Sequence, residues 1–342
     1  MKAVRIPLQP HSHFHFGEFK IDSNVALSST SVFAHSDTLF SALVNSYFHG
    51  VGEANDFVGL FSKSKICISS LYYYLKKDDT VVYLLPKPVF LDLYSPRDGE
   101  HKLRNQIKFV SAGVWQKGFT TKDWTDATKD YCFIQNHDIL LTSKERDELG
   151  LNAKDHVFSV VDIPKSPIRK ADPNQSIYYQ TDVEVGKIKD VEIGFYFLYN
   201  ADSDAELELK RAVNVLVYSG IGGEKNNTGR VMQEPKYDNF DLNLVQNKKD
   251  TPGFTNISLL NPADAAELKK VIYSQTKLRG GRKSGKDDGE YEVVRMINEG
   301  ALLNDKDIRG RLVAIGTDID NNKVYRNGLA FVLPLIYYKS NE

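Results

Sequence analysis

At 342 residues the chain is long enough for two domains of ordinary size. Its 41% hydrophobic and 11% aromatic content excludes a disordered chain and allows real cores. A formal net charge of -1 excludes a surface that is basic throughout, although nucleic-acid binding needs only a local basic stripe.

In chain order, Lys2 to Leu8 reads as a first strand, and the opening residues lack a signal-peptide pattern. His11, His13 and His15 alternate, but the neighbouring Phe14, Phe16 and Gly17 favour packing against aromatics over a zinc site. His35-Ser36-Asp37 supplies a helix start, followed by Leu39, Phe40, Leu43, Val44, Tyr47 and Phe48 at helical spacing. Gly50 and Gly52 end that helix. Ile66 to Leu75 and Thr80 to Leu85 read as strands around a charged turn. Tyr72, Tyr73 and Tyr74 could stack on RNA bases if exposed, but read first as strand residues with one face buried. From Pro86 to about Leu151 the pattern breaks into short pieces and looks like an insertion. Val157 to Ile163 and Ile177 to Val185 then form a protruding hairpin around a turn carrying Lys165, Arg169 and Lys170.

The next unit has the sharpest signal. Val191 to Tyr199 alternates as a half-buried strand, and Ser203 with Glu206 forms a capping-box pattern. Leu209, Ala212, Val213, Leu216 and Val217 then make one helical face. That helix ends in a glycine-rich loop over residues 220–230, and a strand returns near Tyr237. Beyond it we expect strands at Asn256–Leu260, Glu290–Ile297, Arg311–Gly316 and Gly328–Tyr338, with a short helix from Pro262 to Ile272. The last apolar run is broken by Pro334 and is well short of the ~20 residues of a membrane span. The two cysteines, Cys67 and Cys132, make neither a disulfide framework nor a zinc pattern. A cytoplasmic, reducing setting without membrane, metal or cofactor is therefore expected.

The glycine loop points to a phosphate chain. Gly222, Gly223 and Gly229 allow sharp turning, and Lys225 and Arg230 add charge beside Asn226, Asn227 and Thr228. Nucleotide-binding glycine loops precede a helix, where the dipole attracts phosphate. This one follows a helix, where the dipole opposes anions, so a mononucleotide is disfavoured. Gly280 to Lys286 matches the first seven positions of a P-loop, but Asp287 stands where the magnesium-binding hydroxyl belongs. The same stretch, Lys277 to Lys286, carries five cations and no acid, which makes it a candidate basic stripe. His35-Ser36-Asp37 holds the residue types of a hydrolase triad, but three neighbours do not assemble one.

Four blocks in order carry a resemblance to the RAMP superfamily of CRISPR RNA-binding proteins. They are Phe14-His15-Phe16-Gly17, His35 to Leu43, the glycine loop, and a C-terminal half with Arg279-Gly280-Gly281, Asn298-Glu299-Gly300 and Tyr325 to Phe331. Within the superfamily the chain resembles the fourth subunits of type III-A Csm effector complexes, which act in antiviral defence. The resemblance implies an α+β fold of two RRM-like (ferredoxin-like) modules with a β-hairpin thumb insertion. The first module would cover 1–237, with the insertion at about 86–185, and the second 238–342. It also implies a non-catalytic subunit that grips the crRNA at its 5′ repeat-derived tag. Such a subunit bridges a large polymerase-like subunit to the backbone RAMP subunits. On this view the RNA-binding residues are Ser36, Arg169, Lys170, Tyr178, Gly222, Gly223, Lys225, Asn226, Asn227, Thr228, Gly229, Arg230, Lys277, Arg279, Arg282 and Lys283. Related backbone subunits cleave RNA with a loop aspartate; Asp37 lies near the equivalent helix start and is read as a cap. The rival reading is a metal-independent repeat endoribonuclease of the same superfamily using His35 or His15.

Overall fold

The computed structural model describes residues 1–19, 28–165, 178–223, 229, 233–245, 251–283, 289–318 and 320–338. Among these it holds twenty strands and eight α-helices in a mixed α+β arrangement. The first stretch runs β1 (Lys2–Pro7), β2 (His13–Phe14), α1 (Ser36–Gly50), α2 (Ala54–Ser62), β3 (Ile66–Ile68), β4 (Tyr72–Lys77) and β5 (Thr80–Pro86). Next come α3 (Leu91–Tyr94), α4 (His101–Gln106), β6 (Phe109–Ser111), α5 (Ala112–Gln116), β7 (Tyr131–Ile134), β8 (Ile139–Thr142) and α6 (Ser143–Leu149). The chain continues through β9 (Phe158–Lys165), β10 (Tyr178–Val185), β11 (Glu192–Ala201), α7 (Ser203–Ser219) and β12 (Lys236–Asn239). The last stretch comprises β13 (Thr251–Asn256), α8 (Ala265–Leu268), β14 (Val271–Tyr273), β15 (Thr276–Arg282), β16 (Glu290–Ile297), β17 (Leu302–Leu303), β18 (Gly310–Thr317), β19 (Lys323–Leu329) and β20 (Val332–Tyr337).

The largest sheet has the order β12-β1-β11-β4-β5-β6-β8-β7, with β3 also paired to β11. All its pairs are antiparallel except β6 with β8. Counting only β1, β4, β11 and β12 as one to four, their order is 4-1-3-2. The second stretch repeats it: β20-β13-β17-β14 is again 4-1-3-2 and antiparallel throughout. There α8 follows the first strand, while the hairpins β15–β16 and β18–β19 fill the later crossovers.

Helix α1 begins and ends where its glycines and apolar spacing place it. Leu39, Phe40, Leu43 and Tyr47 are buried, but Phe48 is exposed. Its N-cap is His35 without a side-chain cap bond, and Asp37 lies inside the first turn. The cap reading of Asp37 is therefore corrected: its carboxylate is used elsewhere. Helix α7 has Asp202 at its N-cap and no capping box. Glu206 instead accepts from Lys2, Lys210 and Tyr199. The core face of α7 is as read from its spacing, with Leu209, Ala212, Val213, Leu216 and Val217 all buried.

Strand β11 departs from the half-buried expectation. Phe195 packs among Phe14, Phe16 and Tyr73, and Tyr196, on the opposite face, packs on Tyr72 and Tyr83. A central strand covered on both faces loses its polar alternation. Tyr72, Tyr73 and Tyr74 of β4 are all buried, so both faces of this strand are covered and not one alone. The segment after β5 adds β6, β8 and β7 to the sheet edge and reaches across to β20. Trp115 Nε1 donates to Pro334 O at 2.9 Å, and Phe119 N donates to Ile336 O at 2.8 Å.

Candidate nucleic-acid interface

Strand β2 pairs with β10, which pairs with β9, so the His13–Phe14 segment lies on the base of the hairpin. Tyr178 and Tyr179 stand far along that hairpin and are 40% and 60% exposed. Exposed aromatic rings of this kind can stack on bases. Arg169 and Lys170 lie outside the described residues.

The glycine loop begins where α7 stops, at Gly220. It is fastened at two points onto β2 and the residue after it. Gly223 N donates to His15 O and Gly229 N donates to His13 O, both at 2.9 Å. These two N–H groups anchor the loop rather than face a ligand. Gly222 has φ +97, and a Cβ there would lie 2.5 Å from His15 O, so the close approach requires glycine. Lys225, Asn226, Asn227, Thr228 and Arg230 lie outside the described residues.

The His15 ring is the floor of this anchorage. Its Nδ1 lies 2.8 Å from Thr181 O and 3.5 Å from Asp182 Oδ1. Burial pushes the Asp182 carboxyl up, but hydrogen bonds from His15 and Gln180 outweigh it and hold the carboxyl below its ordinary value. His15 is thus buried, as the packing reading expects, with its ring held by Thr181 and Asp182 of β10.

The C-terminal stripe divides into buried and accessible parts. Arg279 is 5% exposed, and its guanidinium makes two 2.9 Å bonds to the Asp37 carboxylate and a third to Thr38. Arg326 adds a 2.8 Å bond to Asp37 Oδ2. Burial alone would raise the Asp37 carboxyl. The two guanidiniums override it and hold the group well below the carboxylate range. Ser36 is fully buried, and its Oγ accepts from Leu259 N at 3.0 Å. The described geometry thus gives Arg279 and Ser36 the task of joining the two halves of the chain. Lys277 is partly exposed, bonded to Glu18 at 2.8 Å and near His35 Nε2 at 3.2 Å. Lys283, just after β15, is half-buried, and of Arg282 only the backbone, in β15, is described.

The partial P-loop match is not a phosphate loop of that kind. Gly280 to Arg282 lie within β15, and the chain returns as the antiparallel strand β16 instead of a helix. His35 is 3% exposed, with Nδ1 2.9 Å from Glu299 Oε1. Burial pushes the Glu299 carboxyl up, but His35 and Ser70 keep it below its ordinary value. These partners stood out of reach of sequence reading: Asp37 is 242 positions from Arg279 and 289 from Arg326. Nothing local marks such a pairing.

Residues 249–335 match the family model described as the CRISPR Csm4 C-terminal domain. A curated relative, the "CRISPR system Cms protein Csm4" of Methanocaldococcus jannaschii, is 23% identical over 98% of this chain and 97% of its own length. A chain of a solved Csm3–Csm4 subcomplex of the type III-A interference complex superposes with a TM-score of 0.66 at 22% identity. The match covers 98% of this chain and 99% of that one. A chain of a Csm1–Csm4 cassette solved with pppApA gives 0.58 at 16% identity, covering 99% and 100%. At these identities the structural matches speak for the fold. Among the described residues no helix is long and apolar enough to cross a membrane.

Proposed function

Because this is a Csm4-like chain of the RAMP superfamily, we propose that it is an RNA-binding subunit of a type III-A CRISPR effector complex. It grips the 5′ repeat-derived tag of the crRNA and joins a large polymerase-like subunit to a backbone RAMP subunit. The observation that carries this reading is the placement of the glycine loop. It closes the helix before the last strand of a 4-1-3-2 unit, and it is fastened beside the β9–β10 hairpin. That strand order, occurring twice, supports two RRM-like modules, with the boundary kept near residue 237. The β9–β10 hairpin is the thumb, with Tyr178 and Tyr179 as stacking rings. The RNA contacts are Lys225, Asn226, Asn227, Thr228 and Arg230 on the loop, Arg169 and Lys170 on the thumb, Lys277 and Arg282 on β15, and Lys283 just after it. Gly222, Gly223 and Gly229 shape the loop, while Arg279 and Ser36 hold the modules that carry it.

The subunit does no chemistry on this reading. Asp37, at the helix start, is sealed between two guanidiniums and cannot act as a base at neutral pH. His35 and His15 are buried with their Nδ1 atoms engaged. The complex works in the cytoplasm. Single-stranded repeat RNA titrated in EDTA tests this directly. Affinity should fall with log salt at a slope of about -0.7 per phosphate neutralised, and the RNA should stay intact. Specific cleavage that disappears in His35→Ala or His15→Ala would instead establish the endoribonuclease.

A further inference from the structure

The elements assigned to RNA do not need to touch one another, because each is fastened to one short segment. Residues 13–19 meet all three. His13 and Phe14 pair with Glu184 and Val183 of the hairpin, and His15 reaches Thr181 on the same strand. The carbonyls of His13 and His15 hold Gly229 and Gly223 of the glycine loop. Glu18 pairs with Lys277, and the Phe19 ring lies on Gly280 of β15. The β15–β16 register shifts between Arg279 and Gly281, where Gly280 opposes both Glu292 and Val293, so Gly280 sits opposite a bulge in β16. A bulge re-aims the strand around it. Any Cβ at Gly280 would strike Cδ2 and Cε2 of Phe19, so glycine here is what seats the ring.

We propose that residues 13–19 are a strap that sets the spacing between the glycine loop, the hairpin and the C-terminal basic strand, with Phe19 as the positioning residue for Lys277. The proposal rests on the RNA-binding reading above. Its chemical content is a fixed path for one strand of RNA phosphates. Glu18 also acts on that path, because its carboxylate occupies the ammonium of Lys277 until a phosphate competes for it. Phe19 touches no RNA. It acts by holding β15 where Lys277 meets the next phosphate after the loop.

The test uses the full chain with single-stranded repeat RNA over a salt series, comparing wild type, Phe19→Ala, Lys277→Ala and the double variant. Lys277→Ala should flatten the log–log slope by about 0.7, the contribution of one phosphate. Phe19→Ala should flatten it by the same amount, and the double variant should go no further. Phe19→Leu, which keeps an apolar side chain on Gly280, should restore the slope. A merely structural role would lower the melting temperature and leave the slope of the folded fraction unchanged. An unchanged slope in Phe19→Ala, or additive loss in the double variant, overturns the proposal. Should Phe19→Ala fail to fold, Glu18→Gln carries the test. It should tighten binding through release of Lys277 and leave the slope as in wild type, because the same phosphate is counted; an affinity no higher than that of wild type contradicts the strap. Wild-type protein that binds no RNA would overturn the functional reading instead.

Discussion

Asp37 shows how a residue can look catalytic in sequence and be structural in the fold. Its carboxylate is fully buried between Arg279 and Arg326. Removing it leaves two buried guanidiniums without a counter-charge, which costs about 3–5 kcal/mol. Asp37→Ala should therefore lose that much stability in urea denaturation, with RNA affinity falling only in step with unfolding. The pH dependence follows from the same pair. An aspartate in the unfolded chain titrates near 3.9, and in the fold it titrates well below that. A depressed folded value stabilises fully above about pH 4 and is lost as the pH falls toward the folded value. Wild type should lose stability steeply between about pH 4 and 2, and Asp37→Asn should lose it less steeply by about one proton. Equal slopes would show that the fold does not depress the Asp37 carboxyl. None of this was legible locally. His35-Ser36-Asp37 marked a helix start correctly, but only the folded chain brings strands from the far end against it. The burial of His15 was legible from Phe14 and Phe16 beside it, but its bond to Thr181 O, 166 positions away, was not.

Among elements, the glycine loop and α7 were the most readable. The spacing from Leu209 to Val217 gave the buried face, and glycine after it marked the stop. The loop's anchorage on β2 was not readable, because it uses backbone carbonyls of His13 and His15, which carry no side-chain signature. It has a consequence at Gly222: a side chain there meets His15 O and must hold a left-handed backbone, with strain of about 1–3 kcal/mol. Gly222→Val should weaken RNA binding more than it lowers the melting temperature, as judged by filter binding on protein shown folded by circular dichroism. Affinity equal to wild type would remove the loop from the interface. The segment between β5 and β9 was opaque because its helices are four to seven residues long, too short for periodicity to register. Its tie to β20 is testable at Trp115. Trp115→Phe leaves Pro334 O without its donor and should cost about 1–3 kcal/mol. A variant as stable as wild type would show that this contact contributes nothing.

For the molecule as a whole, the repeated 4-1-3-2 order is the main organising fact. The helix forecast from Pro262 to Ile272 shrank to α8, because β14 takes the end of that stretch. The strand expected at Asn256–Leu260 instead ends at Asn256, as β13 over Thr251–Asn256. Strands β15, β17 and β19 were missed because glycine and charge interrupt their patterns or, for β17, because the strand is only two residues long. On the proposed function, the two 4-1-3-2 sheets, joined through the buried Asp37, Arg279 and Arg326, present the glycine loop, the hairpin and β15 from a chain whose net charge is only -1. Local arrangement, not average charge, must then provide RNA affinity. The most direct test is affinity purification of the chain from its native host, with sequencing of bound RNA and identification of bound proteins. The account predicts short RNAs sharing one repeat-derived 5′ end, recovered with a large polymerase-like subunit and a backbone RAMP subunit. Recovery of the chain alone and free of RNA would contradict it.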